Sequence, residues 1–150
     1  MYRIPGVLAV LLVMSAGTCR ADDCKPITDA FEKLNSTPVR ITWSVKTFDA
    51  YGQCKRVTAG LSRRNVGEGS PLEPDERAPK LDLCRQIGQE TFKAQSVQHY
   101  YAITEAPDRI VSEFWISVDT GRLVKRFASS PASVSKSEYD YDPEKVFSLF

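Results

Sequence analysis

The stretch from Glu113 to Phe127, EFWISVDTGRLVKRF, admits few readings other than a β-hairpin. Two strand-like runs flank Asp119-Thr120-Gly121-Arg122, whose glycine can take the left-handed backbone that a tight turn requires. Side chains alternate across a strand, so Ile110, Ser112, Phe114, Ile116 and Val118 share one face. Val111 and Trp115 lie on the other. Aromatic rings on both faces mark a central strand covered on both sides, at least in part. A helix can supply one cover. The other must come from the curling sheet itself, a long loop, a partner or a bound apolar molecule.

The remaining chain supplies neighbours for that hairpin. Asp22 to Asn35 reads as a helix: Asp22 and Asp23 favour the positive end of its dipole, Pro26 suits the first turn, and Ile27, Phe31 and Leu34 form one apolar stripe. Thr37-Pro38 ends it. Val39 to Thr47 alternates cleanly, with Val39, Ile41, Trp43 and Val45 on one face. Asp49 to Gly52 turns the chain. Lys55 to Arg63 returns as a second strand, weakened by Gly60.

Asn65 to Pro79 breaks the rhythm with Gly67, Gly69, Pro71, Pro74 and Pro79, and is expected to be a long surface loop. Leu81 to Gln86 reads as a short strand or helical turn carrying Cys84. Gly88 to Lys93 is expected to turn and begin another strand. Val97 to Thr104, Ile110 to Val118, Leu123 to Phe127 and Val134 to Tyr141 follow as strands, with a last turn over 144–150. The sum is an α+β domain: a curved, mostly antiparallel meander of about six or seven strands, half-barrel-like, packed by an N-terminal helix.

Compartment comes from the first residues. Arg3 precedes the apolar run Val7 to Met14, then small residues and Cys19-Arg20-Ala21, the pattern of a secretory signal peptide over 1–21. The run is too short to span a bilayer. A single domain over 22–150 remains, exported and most simply periplasmic. A rival reading lipidates Cys19, although Ala16-Gly17-Thr18 lacks the usual large aliphatic residue. In an oxidising compartment Cys24, Cys54 and Cys84 allow one disulfide and leave one thiol. Their spacing alone leaves all three pairings open.

The hairpin's WI-x-x-x-T-G pattern, its basic second strand and the late tyrosine-rich strand resemble the periplasmic lipoprotein-carrier superfamily. They resemble more closely small exported bacterial proteins of unknown function related to it. Cys24 followed by Thr37-Pro38, and Cys84 followed by Gly88, Glu90, Val97 and Tyr100, stand where that resemblance expects a cysteine-bearing helix and a cysteine-bearing strand. It implies a half-barrel with an apolar concavity and a Cys24–Cys84 bridge joining helix to sheet. The chain departs from the carriers in its short length, its weak middle strands and its charged 65–79 segment.

Chemistry is sparse. His99, the one histidine, sits on a strand with no cysteine near it in sequence, so a Cys–His pair would need Cys54 or Cys84 brought to it. Asp140, Asp142 and Glu144 lack a calcium-loop pattern and read as a solvated strand end. Arg63-Arg64 and Lys125-Arg126 read as solvent-facing pairs. A net charge of +1 with no basic concentration argues against nucleic acid as a partner. The expectation is therefore a non-catalytic protein without cofactor or metal, holding a lipid or other apolar ligand in the sheet's concavity, with Trp43 and Phe114 as lining residues. The alternative is an envelope interaction module that docks another protein by a sheet edge or apolar face.

Overall fold

Alternation dominates this chain, and the fold follows from it. A computed structural model describes residues 21–64 and 78–147. The expected signal peptide apart from Ala21, most of the expected 65–79 loop and the end of the expected last turn lie outside the described residues. A 3-10 turn, Ala21–Cys24, leads into α1, Lys25–Asn35. Seven strands follow: β1 Val39–Phe48, β2 Cys54–Arg64, β3 Leu83–Phe92, β4 Gln95–Thr104, β5 Ile110–Ser117, β6 Leu123–Ser129 and β7 Ser133–Asp140. A short α2, Pro143–Phe147, closes the described chain.

The strands form one antiparallel, open, curved sheet in the order β2-β1-β7-β6-β5-β4-β3. β7 inserts beside β1, so the first and last strands lie side by side. The expected α+β half-barrel-like architecture is the one observed, with seven strands and one substantial helix among the described residues.

Register divides the sheet into two faces. One row runs Gln86, Tyr100, Phe114, Arg126, Ser137, Trp43, Gly60, each directly opposite the next. Directly opposed residues point the same way, so this row is one surface. α1 packs on it: Ile27, Ala30, Phe31 and Leu34 are fully buried against Ile41, Phe114, Ile116 and Leu123. Phe31 meets Phe114 edge to face, centroids 5.8 Å apart. Burying a Phe, Ile or Leu side chain contributes about 1.5–3 kcal/mol. The stripe is therefore what holds this marginal 11-residue helix in place.

Cys24 and Cys84 are bonded, tying the start of α1 to β3 across 60 residues. Cys54 is free and exposed at the start of β2.

Three local expectations need correction. β3 does not turn at Gly88: it is one strand through Phe92, with a bulge where the register shifts between Gln86 and Gly88. A bulge absorbs the glycine that looks like a turn signal. Gly60 does not merely interrupt β2. A Cβ there would lie 2.6 Å from the Trp43 indole, so the glycine lets that ring cross the strand. Arg126 does not face solvent. Its guanidinium lies 5.6 Å from the Phe31 ring centroid and 5.8 Å from that of Phe114, beneath the helix.

Candidate ligand cleft

The row on the opposite face runs His99, Trp115, Lys125, Glu138, Thr42, Leu61. Its middle is covered by the chain itself. Phe92 and Gln95 are paired, with Lys93 and Ala94 as a two-residue turn between them. Both turn residues have positive φ, 46° and 65°. That is the twist a tight hairpin needs, usually supplied by Asn-Gly. A side chain in this region costs on the order of 1 kcal/mol, and such strain concentrates at functional sites.

The strained tip bends back over the sheet. Lys93 Nζ lies 2.8 Å from Glu138 Oε2 on β7, although β5 and β6 separate β4 from β7. Lys93 and Lys125 also lie 5.3 and 5.6 Å from the Phe92 ring centroid. An exposed pair of this kind contributes at most about 1 kcal/mol. The turn geometry, more than the ion pair, sets the tip's position.

Between this tip, the β5–β6 turn, β7 and α2 lies a cleft of about 340 Å³. That is at the small end of the range for ligand sites, about 300–1,000 Å³. Phe92, Val124 and Tyr139 give it apolar wall, and Arg122 and Lys145 give it positive charge. The Arg122 guanidinium lies 5.1 Å from the Tyr141 ring centroid, and no carboxylate within 4 Å of it is found among the described residues. Tyr141 donates its hydroxyl to the Leu123 carbonyl at 2.7 Å.

The titrating groups here are pushed away from neutrality. Lys93's hydrogen bond holds Glu138 below the usual carboxylate range against the opposing effect of burial, and Lys136 assists. Burial raises Asp140, but the Asp142 N–H and the Lys145 ammonium outweigh it, and the group ends below its ordinary value. Burial, and then Tyr139, raise the Tyr141 phenol well above its ordinary value. Asp142 Oδ1 accepts the Glu144 N–H at 3.0 Å and so caps α2. Asp140 and Asp142 thus line the cleft, and Glu144 lies beyond it on α2. Among the described residues no cluster of three or more His, Cys, Asp and Glu is placed to hold a metal.

Trp43 and Phe114 do share a face and a row, with β7 and β6 between them, but neither lines this cleft. Phe114 is fully buried and covered by Phe31. Trp43 is half-buried at the margin of the same core. His99 Nε2 hydrogen-bonds Glu113 Oε2 at 2.9 Å, whereas Nδ1, 3.5 Å from Glu90 Oε2, makes no hydrogen bond among the described residues. Trp115 donates Nε1 to Glu90 Oε2 at 2.6 Å. Cys84 is spent in the disulfide, and Cys54 lies on the far edge strand, so neither is beside His99.

Sequence reading did not find Lys93, Arg122 or the cleft. Their partners lie far along the chain, and the Lys93-Ala94 turn carries no glycine or asparagine. Only the strand register would have shown His99 opposite Trp115.

No family model matches the chain, and no curated protein matches it in sequence. Among solved structures it is similar to LprF from Mycobacterium bovis, at 9% identity and a TM-score of 0.54, over 85% of this chain and 96% of that one. At that identity the likeness establishes a related fold: an open, curved antiparallel sheet packed by a helix.

Proposed function

We propose that the protein is an exported, non-catalytic binding module that seats a small amphipathic ligand in the cleft beneath the β3–β4 tip. The ligand's apolar body rests on Phe92, Val124 and Tyr139, and its anionic group meets Arg122. This moves the seat away from the stretch of sheet where α1 covers Phe114 and toward β7 and α2. The observation that carries the reading is Arg122, a guanidinium without a carboxylate partner among the described residues, beside Phe92, Val124 and Tyr139 in a cleft whose other cations and carboxylates are paired in part, Lys93 with Glu138 and Lys145 with Asp140. Buried surface strengthens recognition of an opposite charge, and a planar guanidinium suits a carboxylate, sulfonate or phosphate.

Other features support the same reading. Glu138 and Asp140 are held as carboxylates and Tyr141 as a neutral phenol, whereas general acid–base work favours groups poised near the operating pH. The Cys24–Cys84 bridge suits an oxidising compartment such as the periplasm. No helix among the described residues is long and apolar enough to cross a membrane.

The test is calorimetric titration with anilinonaphthalenesulfonate, an anionic fluorophore with an apolar ring system. The wild-type protein is expected to bind one equivalent. Arg122→Gln should weaken binding about tenfold or more, the scale of one charge-assisted contact. Arg122→Lys should restore part of it. Equal binding by wild type and Arg122→Gln, each shown to be folded, contradicts the proposal.

A further inference from the structure

The β1–β2 hairpin concentrates positive charge. It holds Arg40, Lys46, Lys55, Arg56, Arg63 and Arg64 and no Asp or Glu within either strand, in a chain whose 20 Lys and Arg nearly balance 19 Asp and Glu. Some of this charge is engaged at home: Arg64 donates to Asn35 Oδ1 at 2.9 Å, and Arg40 acts on Asp140. Lys46, Lys55 and Arg56 are exposed.

The same hairpin ends the sheet. β2 is an edge strand of 11 residues, so one side of its backbone faces away from the ladder. It also exposes apolar side chains. Val57 is 60% and Leu61 40% accessible, on the face away from α1, and Val57 stands opposite Lys46.

We propose that the outer edge of β2 docks an extended acidic segment of a partner protein as an eighth strand. Backbone bonding would supply affinity, as in other strand additions. The register puts Val57 and Leu61 on one face of β2 and Arg56 on the other, so an alternating strand would cover Val57 and Leu61 with its apolar side chains and meet Arg56 with its acidic ones. Charge complementarity selects this occupant over a second copy of the chain, because pairing two β2 edges sets cations against cations. Cations on an edge strand are also a common guard against aggregation. A guard, however, gains nothing from two exposed aliphatic residues between the charges.

The experiment uses a blocked peptide of alternating Glu and Val, titrated into the isotopically labelled protein and followed by amide shifts and hydrogen exchange. The expected result is salt-sensitive binding with new exchange protection confined to β2 amides. Lys55→Glu with Arg56→Glu should weaken it at least about tenfold. Alternate N-methylation of the peptide, which blocks a ladder, should abolish it. Arg122→Gln should leave it unchanged. Absence of binding, indifference to charge reversal, or equal binding of the N-methylated peptide overturns the proposal. So does adsorption to anionic phosphatidylglycerol vesicles without peptide binding.

Discussion

Lys93, at the tip of the β3–β4 hairpin, bonds Glu138 on β7 at 2.8 Å across two intervening strands. This one contact records how the far face of Trp115 is covered. The sheet's own hairpin tip folds over it, bringing Phe92 to the flank of the row that stacks His99 on Trp115 at 4.3 Å and sets Lys125 over the same indole at 4.3 Å. What the bend leaves open beside it is the cleft.

Relieving the strained tip should stabilise the protein. Ala94 has a φ of 65°, which glycine adopts without cost. Ala94→Gly is expected to raise stability by up to about 1 kcal/mol, net of glycine's greater unfolded-state entropy. Urea denaturation checks this, and a clear loss of stability would show that the turn is not strained as described.

The close approach of Trp43 to Gly60 predicts the opposite outcome. Gly60→Val places atoms where the indole lies. Despite valine's better strand propensity, it should destabilise by about 1–3 kcal/mol. Trp43→Ala should make the same Gly60→Val change far less costly, a coupling that a double-mutant cycle measures.

The Cys24–Cys84 bridge closes 60 residues of chain. Cross-linking a loop of that size stabilises by up to about 4 kcal/mol through the unfolded state. Denaturation with and without reductant should show most of that loss. Cys54→Ser, at an exposed position, should change stability by less than about 0.5 kcal/mol.

Acid should weaken the fold through the cleft's carboxylates. Glu138 and Asp140 are depressed in the folded state, so their stabilisation is present above the unfolded value, about 4, and is lost as pH falls through the folded one. Lys93→Met removes the strongest cause for Glu138 and should flatten the acid limb of stability against pH. An unchanged acid limb would contradict the assignment.

Much of the fold was legible because most strands alternate and most turns carry their usual residues. Trp115 and Phe114 on opposite faces correctly announced two covers. What covers them was not legible to the same degree. α1 over Phe114 follows from a visible apolar stripe, whereas the β3–β4 tip depends on two non-glycine residues at positive φ and on a bulge hidden beside Gly88. Arg126 looked solvent-facing because sequence alternation cannot show that a guanidinium sits against Phe31 and Phe114. The cleft is built from side chains as distant in sequence as Arg40, Phe92 and Tyr141, so no local pattern encodes it.

The seat of the ligand is the central claim, and amide shift mapping during titration with anilinonaphthalenesulfonate tests it most directly. The largest shifts are expected at Phe92, Lys93, Arg122, Val124 and Tyr141, with Trp43 and α1 unmoved. Shifts gathered instead at Trp43, Phe114 and Phe31 would place the ligand beneath α1 and contradict that seat.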